Sequence, residues 1–311
     1  MRAFVFPGQG SQFIGMGQDL YDSFPEAKEV FQEVDDALNQ NLSKLIFSGE
    51  QEDLNLTENT QPALMAVSMA VMSVLEPQGL NLSKSINFVA GHSLGEYSAL
   101  TAVKALGLSD TAKLLKLRGQ AMQRAVPVGQ GSMAAILGLT FEDVSQITDE
   151  VTGEGVCEAA NDNSEGQVVV SGSTAAVAKA VELAQGRGAK RAVTLPVSAP
   201  FHCSLMAPAA QEMATALADT KIHPPSLPVI CNVTAQAETD PNVLRRLLVD
   251  QITGTVRWRE SVQYLASQGV TEVFEIGAGK VLSGLIRRID KSIATKDVCS
   301  PAQIDEMLSA L

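Results

Sequence analysis

Along the chain, short runs of β-branched or aromatic residues alternate with longer stretches in which apolar positions recur at helical spacing. Ala3–Phe6 reads as a buried strand entering a Gly-rich loop, Pro7–Gly17, and Glu26–Leu38 has the period of an amphipathic helix. Thr60 with Pro62 just behind it reads as the start of a helix through Ala63–Leu75. That segment is apolar nearly all round, which predicts a central position. Phe88–Ala90 reads as a second strand, followed by Gly91–Gly95 and a helix to about Ala105; Ser109 reads as the cap of a further helix reaching about Val126. This strand–loop–helix rhythm predicts a parallel sheet covered by helices.

Between 127 and 198 the rhythm changes. Strands at Met133–Leu137, Val156–Ala160, Gln167–Ser171 and Arg191–Val197, with helices at Phe141–Val151 and Thr174–Gln185, give the order βαββαβ. That is the order of a ferredoxin-like split unit with its own small core. Pro127–Gly129 and Pro196–Pro200 read as hinges on either side, after which Val229–Val233 and Glu272–Ile276 resume single buried strands. The expected architecture is α/β. A large α/β-hydrolase-like domain with a parallel sheet, 1–126 plus 199–311, is interrupted by a small ferredoxin-like α+β subdomain, 127–198.

Composition narrows the function classes. With 311 residues, 45% of them hydrophobic and 19% charged, the chain can bury a substantial core, and a disordered or coiled-coil reading is excluded. A net charge of −12 argues against nonspecific binding to nucleic acid or to an anionic membrane. An acidic partner would need a local basic patch, for which the candidates are Arg187, Lys190 and Arg191, or Lys280, Arg287 and Arg288. The four cysteines lie far apart, without the close pairs of zinc or redox motifs, and read as reduced thiols of a cytoplasmic protein. No apolar stretch reaches the ~20 residues of a membrane span, and Pro7 breaks the first apolar run too early for a signal peptide.

The chemistry starts at Gly91-His92-Ser93-Leu94-Gly95, a G-x-S-x-G nucleophile elbow with a strand before it and a helix after it. The glycines permit the sharp turn that lifts Ser93 out of the sheet, and the helix amino terminus offers N–H groups to a developing oxyanion. A serine nucleophile needs a base, and the chain has three histidines. His92 diverges from Ser93 at the elbow, His223 lies in a proline-stiffened segment, and His202 follows a strand in a loop, where functional residues emerge. His202 is the expected base. Its position, with roughly a third of the chain still to come, departs from the α/β-hydrolases, where the histidine comes near the end after an acid. The first loop, Phe6–Gln12 (FPGQGSQ), places glycines around Gln9 and suits a second backbone oxyanion donor. Arg118 is spaced four residues from both Leu114 and Met122 on an apolar helix stripe, so it needs an anion, either an internal carboxylate or a substrate carboxylate held bidentately.

FPGQGSQ at 6–12, Gln61-Pro62, GHSLGEY at 91–97, Arg118-Gly119, Asn161 with Gly166-Gln167, Pro200-Phe201-His202 and Glu275-Ile276-Gly277 together resemble the malonyl-CoA:acyl-carrier-protein transacylases of bacterial fatty-acid synthesis. The similarity runs over nearly the whole chain. It implies that Ser93 is acylated, His202 is its base and Arg118 clamps the malonyl carboxylate, with Gln9 and Leu94 as oxyanion N–H donors. It also implies that Gln251 orients His202 through its backbone carbonyl, where a triad would have Asp. His92, Phe201, Asn161, Gln167 and Arg191 are its further substrate-binding positions. The expected partners are malonyl-CoA and acyl carrier protein, for a monomer with no metal or redox cofactor. A serine thioesterase or esterase using the same elbow is the alternative reading, and a non-catalytic acyl-CoA-binding protein a more distant one.

Overall fold

The computed structural model describes residues 1–197 and 199–310, which fold around two sheets. In chain order the strands are β1 (Arg2–Phe6), β2 (Phe88–Gly91), β3 (Gly131–Leu137), β4 (Cys157–Ser164), β5 (Gln167–Ser173), β6 (Arg191–Thr194), β7 (Val229–Ile230), β8 (Ala237–Glu238), β9 (Glu272–Ile276) and β10 (Ala294–Val298). The larger sheet has the order β10-β9-β1-β2-β7-β8 and is parallel except for the terminal β7–β8 pair. β1 lies inside it and is covered on both faces. Ala3 and Val5 pack with Trp258, Val262 and Ile286, while Phe4 and Phe6 join the main core, which explains an uninterrupted apolar strand.

The helix expected around Ala63–Leu75 is buried almost throughout, as its all-round apolarity predicts. It starts earlier than expected, at Thr57 after Leu56, with Pro62 inside it. The backbone N–H groups of Asn59 and Thr60 already close on Leu56 O, and a proline this near the start forfeits one intrahelical bond without ending the helix. Ser109 is not a cap either. The helix Leu108–Ala125 begins after Gly107, and Ser109 Oγ donates instead to Glu33 Oε1 at 2.7 Å. The expected Val229–Val233 strand shortens to β7, because Cys231 N–H already turns to Gln236 O at the β8 hairpin.

The smaller sheet is antiparallel, with the order β4-β5-β3-β6. Helices Phe141–Glu150 and Thr174–Gly186 share one apolar core with Ile136, Val168 and Val170 of the sheet. Its other face joins the main core through Met133, Ala160 and Val169. The small sheet is tied to the rest of the chain away from the chain crossings, at the segment leading into the helix Trp258–Ser267: Asp162 N–H donates to Val256 O, Val256 N–H to Ala160 O, and the Asp162 carboxylate pairs with Arg259 at 2.9 Å. The expected segments 127–198 and 199–311 end on Ser198 and Leu311, which lie outside the described residues.

Candidate active site

β2 delivers the chain to Gly91, and the helix Leu94–Ala102 begins immediately after Ser93, whose φ is 54°. Contact distances account for the motif spacing. A Cβ on Gly91 would lie 1.9 Å from the Gly95 carbonyl carbon, and one on Gly95 would lie 2.3 Å from Phe6 O. Both glycines therefore let β1, β2 and the helix approach closely enough to expose the serine, at a backbone cost that the surrounding packing sustains.

His202 is also held at positive φ, 58°, and is 4% exposed. Its Nε2 lies 2.8 Å from Ser93 Oγ, and its Nδ1 lies 2.8 Å from the Gln251 carbonyl oxygen. A carbonyl only accepts, so Nδ1 carries the proton and Nε2 is left to accept from Ser93 Oγ–H. Burial, helped by the nearby Arg118 charge, lowers the His202 pKa to about 3, so the ring is neutral at ordinary pH.

Arg118 is 1% exposed and meets no carboxylate among the described residues. Its Nη1 donates to Gln61 Oε1 at 2.8 Å, and its Nη2 donates to Gln251 Oε1 at 2.9 Å and to Ser93 Oγ at 3.1 Å. The guanidinium also lies 5.7 Å from the centre of the Tyr97 ring. A buried cation held only by neutral oxygens keeps most of its charge available to an incoming anion.

The backbone N–H of Ser93 is already committed to Asn232 Oδ1 at 2.7 Å. Those of Leu94 and Gln9 have no acceptor among the described residues, so they are the free donors beside the serine. Gln9 is fixed from its side chain, which accepts from Thr57 Oγ1 at 2.9 Å. Gln9, Ser93, Leu94, Arg118 and His202 all line one cleft of about 180 Å³.

Of the other expected positions, His92, Asn161 and Phe201 line the same cleft; His92 Nε2 lies 2.9 Å from Asn163 Oδ1. Gln167 and Arg191 do not line it. They flank Leu137 in one cross-strand row, Gln167 two residues beyond the cleft residue Val169 and Arg191 four residues before the cleft residue Leu195. Gln167 is taken up by Arg288, whose Nη1 donates to its Oε1 at 2.8 Å, and Arg191 is exposed. Gln61, Glu96, Asn163 and Asn232 carry structural roles at the site that no sequence expectation assigned. Glu96 left a signal, a lone carboxylate in the apolar helix LGEYSALTA, whereas Asn232 left none.

The sequence matches the acyl transferase domain family over residues 3–304. The chain belongs to the acyl transferase family. Among relatives of this acyl transferase is the malonyl CoA-acyl carrier protein transacylase of Bacillus subtilis, 46% identical over 310 residues, covering 99% of this chain and 96% of that one. The crystal structure of an acyl-carrier-protein S-malonyltransferase from Bartonella henselae is 55% identical, with a TM-score of 0.98 over 99% of this chain and 98% of that one. A malonyl-transacylase solved in complex with a holo type II polyketide acyl-carrier protein is 40% identical, with a TM-score of 0.96 over 100% of this chain and 99% of that one.

Proposed function

We propose that this acyl transferase moves a malonyl group from coenzyme A to the phosphopantetheine thiol of acyl carrier protein, in fatty-acid synthesis, through a malonyl-serine. The observation that carries the reading is Arg118: a buried guanidinium, held by amide oxygens and no carboxylate among the described residues, 3.1 Å from the nucleophilic oxygen. A site for plain acyl or ester substrates has no use for such a cation, which weighs against the hydrolase alternative.

His202 Nε2 takes the Ser93 proton as Oγ attacks the thioester carbonyl, and its Nδ1–H bond to Gln251 O stabilises the imidazolium that forms. The N–H groups of Gln9 and Leu94 receive the developing oxyanion. The tetrahedral intermediate collapses, the coenzyme A thiolate leaves with the proton from His202, and malonyl remains esterified to Ser93. The carrier thiol then gives its proton to His202 and attacks the ester, and Ser93 leaves reprotonated. The substrates supply both thiols, so the cycle uses no metal and no redox cofactor.

The small antiparallel sheet acts as a ferredoxin-like subdomain whose open face roofs the cleft with Met133 and Val169. Carrier protein docks beyond it. Arg187 is taken up by Glu150, but Arg288 donates to Gln167, which with Arg191 flanks Leu137 in one cross-strand row, so one member of each basic cluster borders a common rim. That rim supplies local positive charge on a chain of net charge −12. The enzyme works as a cytoplasmic monomer; among the described residues no helix is long and apolar enough to cross a membrane.

Mixing the protein with malonyl-CoA alone tests the reading. Intact-mass spectra gain one malonyl group, the adduct maps to Ser93, and Ser93→Ala abolishes it. No adduct, an adduct that persists in Ser93→Ala, or release of free malonate faster than transfer to carrier protein would overturn it.

A further inference from the structure

Glu96 is 1% exposed on the helix that starts at the nucleophile, and one of its oxygens ties together both halves of the site. Oε2 accepts from Gln251 Nε2 at 2.8 Å and from Asn232 N–H at 2.9 Å. Asn232 in turn accepts the Ser93 N–H at its Oδ1 and donates from Nδ2 to Gly91 O at 2.7 Å, so it braces the elbow from both sides. Gln251 presents Oε1 to Arg118 and its main-chain oxygen to His202, and its Nε2 also reaches Ser93 O at 3.1 Å.

A carboxamide has one accepting end and one donating end, and turning it over exchanges them. Turned over, Gln251 would set its NH₂ against the Arg118 guanidinium, donor against donor, and its oxygen against the Glu96 carboxylate. Glu96 and Arg118 thus fix the direction of the Gln251 side chain from opposite ends. Resting on the reading of Ser93, His202 and Arg118 given above, we propose that Glu96 is a positioning residue. It locks Gln251 and Asn232, and through them it sets where Arg118, His202 and the Ser93 elbow point. It is the acid that the serine–histidine pair otherwise lacks, set back by one amide. That setting matters for the substrate: a carboxylate in direct contact would occupy the Arg118 fork, whereas one behind an amide orients it and leaves it open.

The ionised carboxylate is the better acceptor, since charge-assisted hydrogen bonds are about twice as strong as neutral ones. Burial raises the Glu96 pKa to about 7, opposed by the bonds from Asn232 and Gln251 and by the Arg118 charge. The titratable neighbours are Arg118 on the adjacent helix, Tyr97 beside it in sequence and Cys231 after β7. Burial raises Tyr97 to about 12 and carries the Cys231 thiol well above its usual range, while His202 is depressed to about 3, so of these groups Glu96 alone titrates near neutrality.

The experiment is single-turnover malonylation of Ser93 by malonyl-CoA, followed by intact mass from pH 6 to pH 8.5, in the wild type and in Glu96→Gln. The expected wild-type rate rises about fivefold through pH 7, the gain from charging one hydrogen-bond acceptor. In Glu96→Gln, which keeps an acceptor oxygen without the charge, the step disappears and the rate stays near the low-pH level of the wild type. A Glu96→Gln profile with the wild-type step, or a wild type that loads without any step, overturns the proposal; the second result needs no variant to fold. A wild type that does not load at any pH overturns instead the malonyl-transfer reading on which it rests.

Discussion

Replacing Arg118 by alanine separates malonyl from acetyl chemistry, because the two thioesters differ by one carboxylate and Arg118 is the buried cation beside Ser93 Oγ. Losing a hydrogen bond to a charged group costs about 1.5–3 kcal/mol, or roughly 10- to 150-fold in rate. Arg118→Ala should therefore depress malonyl loading of Ser93 by at least about tenfold while acetyl loading changes little. The variant also strips donors from the buried oxygens of Gln61 and Gln251, at about 1–3 kcal/mol of stability for each unsatisfied group, so its thermal midpoint falls as well. Arg118→Lys recovers only part of the preference, because a point charge reproduces neither the fork nor both amide contacts. The assay is the ratio of single-turnover rates with malonyl-CoA and acetyl-CoA, measured below the melting transition. Equal losses for both substrates in a folded variant would make Arg118 a structural cation and remove the argument for a malonyl substrate.

Stability should respond to Glu96 with a definite sign. Its folded pKa of about 7 lies above the reference value of 4.5, so its contribution is fully present below pH 4.5 and is lost as pH rises through 7. Urea denaturation of Glu96→Gln against the wild type should show the variant gaining about 3 kcal/mol in relative stability between pH 4.5 and pH 8; a constant difference would contradict the burial penalty. Gly91→Ala drives a Cβ into the Gly95 carbonyl, so it should lose Ser93 malonylation and at least about 3 kcal/mol of stability, measured by intact mass and denaturation. Arg191→Glu with Arg288→Glu should raise the KM for carrier protein severalfold and leave self-malonylation intact, and a normal KM in steady-state transfer would place docking elsewhere.

Legibility in the sequence followed the range of the forces involved. The elbow, the buried helix and the small βαββαβ sheet were readable because steric spacing and apolar period act over a few residues, as with Gly91, Gly95 and Ala63–Leu75. Arg118 was readable as a cation on an apolar stripe, though not its partners, since Gln61 and Gln251 arrive from helices distant in sequence. Asn232 was invisible for the same reason: its role exists only once β7 lies beside β2. β10 escaped because ATKDV, on the edge of the larger sheet, is polar and lacks the apolar run that marked the inner strands. Gln167 and Arg191 show the limit of matching by motif, for they share the cleft face of the small sheet but sit at its outer row.

The bridge between β4 and Val256 decides how the enzyme can be recombined. The small sheet looks like a cassette with two clean cut sites, yet its edge strand is bonded to Thr255, Val256 and Arg259, which follow Gln251 directly in the chain. Transplanting only the cassette from a relative with another acyl preference would pair a foreign β4 with the native 254–259 segment. The mismatch would reach His202 through the Gln251 carbonyl, three residues before Gly254. A chimera intended to change substrate must therefore carry both pieces, the inserted sheet and the short stretch after the helix Pro241–Thr253, as one unit of exchange.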